Sequence, residues 1–124
     1  MQCITYWRFA IYTVVETESF KVEIAELLDL DDRLAFFTYL SQNPLKGDVI
    51  QHGKGLRKIR WATSGKGKSG GVRVIYYNML DDGLIVCLAV YAKNEKENIS
   101  AKELKSLKNE KQGNQSWNLL ISLT

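Results

Sequence analysis

The run LIVCLAVY, from Leu84 to Tyr91, is almost free of polar side chains and constrains the fold more than any other segment. The turn sequence Asp81-Asp82-Gly83 precedes it, and Val72 to Asn78 before that turn is rich in β-branched and aromatic residues. Two such runs joined by a short turn predict an antiparallel hairpin. Because a strand that is apolar along its whole length must be covered on both faces, we expect Leu84 to Tyr91 to lie inside a sheet.

Helical spacing of apolar residues marks the segments before this hairpin. AIYTVVE predicts a first strand, and FKVEIAELL after it predicts a short helix. A second helix is expected to start at a cap formed by Asp31 or Asp32 and to stop at Asn43-Pro44. LRKIRWA then alternates as a strand does.

The C-terminal part is predicted to begin with a third helix, because Ser100-Ala-Lys-Glu103 matches a capping box. The last segment, GNQSWNLLISLT, is assigned no element, since WNLLISL is compatible with an edge strand or with a partner-binding tail. The element order β-α-α-β-β-β-α predicts an α+β fold, a small antiparallel β-sheet with helices packed on one face. At 124 residues we expect a single domain over 1–124, with a core at about 10–111 and an unassigned tail at 112–124.

Charge is segregated along the chain. Residues 1–47 carry a net charge of −3, whereas the remainder carries +6. Between Val49 and Leu80 an interval of 32 residues contains no acid and seven cations. These are Lys54, Arg57, Lys58, Arg60, Lys66, Lys68 and Arg73. Such a stripe favours binding of a polyanion through its phosphates, although a solubilising surface has the same composition.

The strand LRKIRWA sorts these cations by face. Alternation places Lys58 and Arg60 on one face with Leu56, and the opposite face is mostly apolar through Ile59 and Trp61. Trp61 is therefore interpreted as a core residue. The segment TSGKGKSGG that follows predicts a flexible loop that offers Lys66 and Lys68 to an extended backbone.

Several other chemistries have little support in the sequence. GKGKSGG lacks the spacing of a P-loop, and a strand rather than a helix follows it, so a nucleotide cofactor is not expected. His52, the only histidine, has no neighbouring ligand for zinc, and we expect neither a metal nor a cofactor. Asp31-Asp32 and Asp81-Asp82 lie where caps and turns favour aspartate. An active site that consists of cations is compatible with RNA as the substrate, because the 2′-OH of RNA supplies the nucleophile.

The segment from Gly47 to Ser100 resembles the RelE/HigB superfamily of toxins from bacterial type II toxin-antitoxin systems, in particular the HigB-like branch. The resemblance rests on four blocks in the family's order: GDVI, GLRKIR, GKGKSGGVRVIYY and YAKNEKE. It implies a compact fold of helices on an antiparallel sheet. It also implies a ribosome-dependent mRNA endonuclease, in which a 2′-OH attacks the adjacent phosphate.

The resemblance also implies roles for individual residues. Lys58 and Arg60 correspond to cations that transfer protons and contact the phosphate, Arg73 to the arginine that stabilises transition-state charge, and Lys93 to a cation after the last core strand. Further RNA contacts are expected from the remaining candidates, which are Lys54, Arg57, Lys66, Lys68 and Tyr91. Some relatives carry a late tyrosine that positions the base. This sequence has Asn98-Ile99-Ser100 there, so Tyr91 or Tyr77 is a candidate for that role.

The partners implied by the resemblance are the ribosome, mRNA and a cognate antitoxin, expected to be a helix-turn-helix protein. Met1 to Val15 lacks a basic start and a cleavage pattern, and no run reaches the roughly 20 apolar residues of a membrane span. We therefore expect a cytoplasmic protein without a membrane partner. The alternative, a toxin-like protein that binds RNA or the ribosome without cleaving, is motivated by the missing late tyrosine.

Overall fold

The structure, a computed structural model, describes residues 12–62, 71–93 and 99–122, and side chains within the last helix are described as far as Lys111. The five strands are β1 Thr13–Glu16, β2 Asp48–Val49, β3 Arg57–Trp61, β4 Val72–Met79 and β5 Leu84–Ala92. The three helices are α1 Glu18–Leu27, α2 Leu30–Gln42 and α3 Ala101–Ser122. This content confirms the predicted α+β class, with the short strand β2 added to the predicted order.

The five strands form one sheet in the order β1-β5-β4-β3-β2. β1 runs parallel to β5, and every other neighbouring pair is antiparallel. A 3-10 turn at Leu80–Asp82 joins β4 to β5, and Gly83 completes it with φ of 74°, a left-handed conformation that glycine adopts without strain. The predicted hairpin is therefore confirmed. β5 lies inside the sheet, between β1 and β4, as its apolar sequence requires.

A β-bulge in β5 changes which side chains share a face. Ile75 is paired with Ala89 and Tyr76 with Cys87, so Leu88 is the extra residue. Leu88 packs into the cluster that includes Val86, and Ala89 packs against the same cluster. As a result, the alternation of side chains between the two faces of the sheet shifts by one residue after Leu88. Tyr91 therefore lies on the same face as Leu88.

Helices cover both faces of the sheet, whereas the sequence predicts helices on one face only. α1 and α2 bury Phe20, Ile24, Phe36 and Leu40 against the first face. α3 lies on the opposite face, which we call the α3 face, where Leu104 and Leu107 pack on the second cluster. That cluster consists of Leu56, Ile75, Tyr77, Val86, Leu88 and Tyr91. The difference follows from β4 and β5, whose side chains are mostly apolar on both faces of the sheet, so that both faces must be covered from water.

The helix boundaries follow from capping side chains. The Phe20 N–H donates to Thr17 Oγ1 at 3.3 Å at the start of α1. At the start of α2 the Asp32 N–H donates to Asp29 Oδ1 at 2.9 Å, so the cap is Asp29, and the prediction of Asp31 or Asp32 is wrong. The two later aspartates lie in the first turn, where negative charge is stabilised by the helix dipole.

α3 begins at the predicted capping box. The Ser100 N–H donates to Glu103 Oε1 and the Glu103 N–H donates to Ser100 Oγ, both at 3.2 Å. Its backbone stays helical to Ser122, so the edge-strand interpretation of WNLLISL is wrong. Among the helices of the described ranges, none is long and apolar enough to span a membrane.

Candidate functional site

Three of the sequence-predicted site residues form a row across the sheet. Arg60 of β3 pairs with Arg73 of β4, which pairs in turn with Tyr91 of β5. Directly opposed residues of antiparallel strands have Cα atoms about 4.5–5.5 Å apart, so their side chains are neighbours. The row lies on the α3 face, because Tyr91 belongs to the cluster on that side.

The other two catalytic candidates lie in the adjoining rows. Lys58 precedes Arg60 by two residues and pairs with Ile75, which also faces α3. Lys93 follows β5 directly, and its N–H donates to the Gly71 carbonyl at 3.2 Å. The structure therefore gathers Lys58, Arg60 and Arg73 in neighbouring positions, with Lys93 beside them at the same end of the sheet.

The arginines of the row differ in exposure. Arg60 is exposed, whereas Arg73 is only 4% exposed. A guanidinium keeps its positive charge in all ordinary protein environments. Arg73 therefore places a fixed charge beneath the surface, and it is reached through the groove that it lines.

This groove, about 490 Å³ in volume, lies at the free edge of β3. β2 pairs only with Arg57 and Lys58, and no other strand of the described chain pairs along that edge from Ile59 to Trp61. The groove therefore joins the α3 face to the side of the sheet that α2 covers. Its lining consists of Tyr39, Lys46, Asp48, Lys58, Ile59, Arg60, Trp61 and Arg73.

Five lining residues are absent from the sequence-based assignment of the site, and four of them, all except Ile59, are charged or aromatic. Lys46 and Asp48 flank Gly47 at the end of the acidic half of the chain, and Tyr39 and Trp61 are aromatic residues at core-like positions. Asp48 pairs with Lys58 across β2 and β3, which brings a carboxylate beside the acid-free stripe. In the sequence, only the two residues Asp48 and Val49 correspond to the strand that makes this pairing. Two residues are too few to predict a strand.

The loop that carries Lys46 is fixed by buried hydrogen bonds. The Tyr76 hydroxyl donates to the Pro44 carbonyl at 2.8 Å and accepts from the Gly47 N–H at 2.9 Å. Asn78 Nδ2 also donates to the Pro44 carbonyl, at 3.0 Å. A Cβ on Gly47 would lie 2.6 Å from the Tyr76 hydroxyl oxygen, so only glycine permits this approach. Burial raises the pKa of Tyr76, and the Gly47 hydrogen bond opposes that shift.

Arg57 and Lys54, two predicted RNA-binding residues, contact the protein itself. Arg57 Nη1 donates to the carbonyls of Gly47 at 2.7 Å and Leu45 at 3.2 Å, so it supports the same loop. The carbonyl of Lys54 accepts from Lys111 Nζ at 2.6 Å, which ties its loop to α3. Neither residue lines the groove.

The remaining RNA-binding candidates divide into two cases. Tyr91 is 6% exposed and lines a separate cavity of about 220 Å³ between α1 and α3. Lys66 and Lys68 lie outside the described residues. The catalytic candidates therefore lie close together in the structure, whereas the RNA-binding candidates that it describes do not form one group.

Comparison with known proteins identifies the family to which the chain belongs and supports the fold. The profile of a family described as RelE toxin of the RelE/RelB toxin-antitoxin system matches residues 41–118, a span that includes every predicted site residue. The chain belongs to the RelE toxin family. This is a family of mRNA-cleaving toxins, and membership implies that the chain is the toxin of a toxin-antitoxin system.

A solved structure shows the same fold. It is that of the E. coli toxin RelE, in a double mutant with two arginines replaced by alanine, in the free state. The TM-score is 0.53 at 14% sequence identity, over 70% of this chain and 88% of that chain. At this level of identity the similarity concerns the fold alone.

Proposed function

We propose that this protein cleaves mRNA on the ribosome, with the 2′-OH of one nucleotide attacking the adjacent phosphate. The bond from the 2′ oxygen to phosphorus forms as the bond to the 5′ oxygen of the next nucleotide breaks. The hydroxyl proton passes to a base on the protein, and the departing oxygen takes up a proton. The products are a 2′,3′-cyclic phosphate and a free 5′-OH.

The observation that carries this proposal is the concentration of cations from neighbouring strands at one groove. Lys58 is assigned to proton transfer and Arg60 to the phosphate. Arg73, the buried member of the row, is assigned to the negative charge that develops on the phosphorane. Charges fixed before the reaction stabilise a transition state without reorganisation, and a water-poor environment strengthens them. Lys93 is assigned to the RNA backbone beside the scissile bond.

Primer extension on mRNA added to translating ribosomes tests the proposal. The wild-type protein should produce discrete new 5′ ends, and Arg60→Ala should reduce their rate by about 100-fold or more, as loss of one transition-state donor does. Lys102→Ala, which removes an exposed cation from α3, is the matched control and should cleave as the wild type does. Equal rates for both variants would remove Arg60 from the site.

Arg73 requires a more conservative substitution because it is buried. Arg73→Lys keeps the charge but loses the planar fork of donors. We expect a large loss of cleavage with unfolding temperature close to the wild type. Thermal unfolding measured in parallel separates a loss of chemistry from a loss of folding.

A second function, binding RNA or the ribosome without cleavage, is favoured by one observation. Arg73 and Tyr91 are both buried, at 4% and 6% exposure, so two expected contacts with RNA are recessed in the free protein. This function predicts inhibition of translation with intact transcripts. Primer extension distinguishes it directly from the first function.

The proposal also concerns partners and setting. It places the protein in the HigB-like branch, as a single-domain cytoplasmic toxin that a helix-turn-helix antitoxin neutralises. Co-expression with the product of a neighbouring reading frame tests the antitoxin. Rescue of growth together with a stable complex is expected, and growth arrest that persists in the presence of a bound partner would contradict neutralisation.

A further inference from the structure

Two aromatic side chains, Tyr39 of α2 and Trp61 of β3, form what we call the aromatic wall of the groove. Their ring centroids are 5.5 Å apart with an interplanar angle of 43°. Phe36 contacts Trp61 edge-on from within the core, at a centroid distance of 5.4 Å. Both wall residues are half-buried and both line the groove. They are therefore supported by the core on one side and open to the groove on another.

Trp61, interpreted from the sequence as a core residue, packs against the core but is only half-buried. The position lies on the unpaired part of the β3 edge, beyond the point where β2 ends. Its ring consequently contributes to the boundary between the core and the groove. An aromatic ring at such a boundary offers a flat apolar surface to a ligand without loss of its packing contacts.

The groove is also lined by cations. Lys46, Lys58 and Arg60 line it together with the aromatic wall, beside a single carboxylate, that of Asp48. Proteins that bind single-stranded nucleic acid combine these two elements, because cations follow the backbone while aromatic rings stack on bases. The groove volume, about 490 Å³, also falls within the range of about 300–1,000 Å³ typical of small-molecule sites.

We propose that the aromatic wall is a nucleobase-binding site, where one unpaired base of single-stranded RNA stacks while its phosphates contact the cations of the same groove. The inference deepens the proposed function, on which it rests for the identity of the ligand as RNA. It assigns to Tyr39 and Trp61 the positioning of the nucleotide next to the phosphate. Stacking tolerates every base, so this site holds the strand without selecting its sequence.

The first test measures whether binding depends on a base. In a chain with Trp7→Phe and Trp117→Phe, Trp61 is the only remaining indole among the three of the sequence. The probe is a six-nucleotide single-stranded RNA with every 2′-OH methylated, which blocks attack by the 2′ oxygen. Stacking should quench the Trp61 fluorescence in a saturable titration.

The control probe has the same length and the same phosphates but is abasic at all six positions, so that no shift of the strand can bring a base to the wall. It should lose the quenching and bind about 5- to 150-fold more weakly, the range measured when a single stacked base loses its aromatic partner. Equal affinity and equal quenching for the intact and the abasic probe would mean that only phosphates are bound, and the inference would be overturned. This comparison uses one folded protein throughout.

The second test changes the wall. Tyr39→Leu and Trp61→Leu keep apolar bulk against the core but remove the ring, whereas Tyr39→Phe and Trp61→Phe keep a ring. Trp61→Phe also removes an indole N–H that is buried without a hydrogen-bond partner among the described residues, so no bond is lost. By fluorescence anisotropy with a labelled probe, the leucine variants should lose the difference between intact and abasic RNA, and the phenylalanine variants should keep it. Leucine variants that keep the full difference would overturn the inference.

The two proposals fail in distinguishable ways. Base-dependent binding without cleavage on ribosomes would contradict the proposed function and support the nucleobase site. Cleavage by a protein that binds intact and abasic RNA equally would support the proposed function and overturn the nucleobase site.

Discussion

Asp48 lies opposite Lys58 across the β2–β3 ladder, and both residues line the groove at the edge of β3. This acid directly precedes the long run without acids, so the groove is less uniformly cationic than the sequence suggests. A cross-strand pair of opposite charges contributes about 0.2–1 kcal/mol to stability. Its larger effect concerns a polyanion, because the carboxylate offsets one cation of the groove.

Asp48→Asn is therefore expected to strengthen binding of single-stranded RNA. Removal of one negative charge from an exposed position should raise the affinity by about 2- to 5-fold at low salt, and the gain should shrink as salt screens the groove. Anisotropy titrations at 50 and 200 mM salt measure it.

The matched control for that experiment is Asp81→Asn. Asp81 is an exposed acid in the turn between β4 and β5 and does not line this groove. The same gain in both variants would show that net charge, rather than the position of Asp48, determines the affinity.

Tyr76→Phe is expected to destabilise the protein and to weaken RNA binding together. The hydroxyl bonds both the Pro44 carbonyl and the Gly47 N–H in a buried position, and loss of a buried partner costs about 1–3 kcal/mol. Urea unfolding gives the free energy, and titration with the methylated RNA probe gives the affinity. A variant with wild-type stability would contradict the assigned hydrogen bonds, and a variant that is unstable but binds fully would separate the loop from the groove.

Alkaline pH is expected to destabilise the fold through Cys87. Burial, and secondly the charge of Glu16, raise the pKa of this fully buried thiol far above its ordinary value of 9.0. In the unfolded chain the thiol loses its proton from about pH 9, whereas the folded chain retains it. The unfolding free energy therefore falls as pH rises above 9, by up to about 1.4 kcal/mol per pH unit for one such group.

Cys87→Ala isolates that effect from other groups. Unfolding free energies from urea titrations at pH 8, 9 and 10, under reducing conditions, should fall less steeply for the variant than for the wild type. Burial also raises the pKa of Tyr76 above 10.0. Tyr76 therefore adds a further decline of the unfolding free energy in both proteins at the highest pH. Parallel curves from pH 8 to 10 would exclude the thiol as a source.

Glu110→Gln is expected to stabilise the packing of α3 against the rest of the protein at neutral pH. Burial, and secondly the charge of Glu23, raise the pKa of Glu110 above its ordinary value of 4.5. Its Oε1 is buried without a hydrogen-bond partner in the part of the chain that the structure describes. The protonated form is favoured in the folded state, so this contribution is present below pH 4.5 and is lost as pH rises.

Thermal unfolding at pH 4 and pH 7 measures the effect of Glu110→Gln. The variant should unfold at a higher temperature than the wild type at pH 7, and the difference should shrink at pH 4. Glu26→Gln, an exposed position on α1, serves as the control and should change neither value appreciably. A difference that is the same at both pH values would point to packing rather than to charge.

The sequence by itself determined the features that depend on neighbouring residues along the chain. Alternation placed Lys58 and Arg60 on one face of β3, and the Asp81-Asp82-Gly83 turn marked the β4–β5 hairpin. The apolar run of β5 required a position inside the sheet. Each inference uses a period of two residues or a short turn, both of which are local properties.

The tertiary structure alone decided how distant segments meet. Strand register and the bulge at Leu88 place Tyr91 beside Arg73, and a shift of one residue would have turned either side chain to the other face. Three other features likewise depend on long-range contacts: α3 packs on the second face, Asp48 lies beside Lys58, and Arg57 holds a loop by hydrogen bonds. The sequence shows which chemical groups these residues have. Their relative positions, however, are determined by the packing free energy of the whole core.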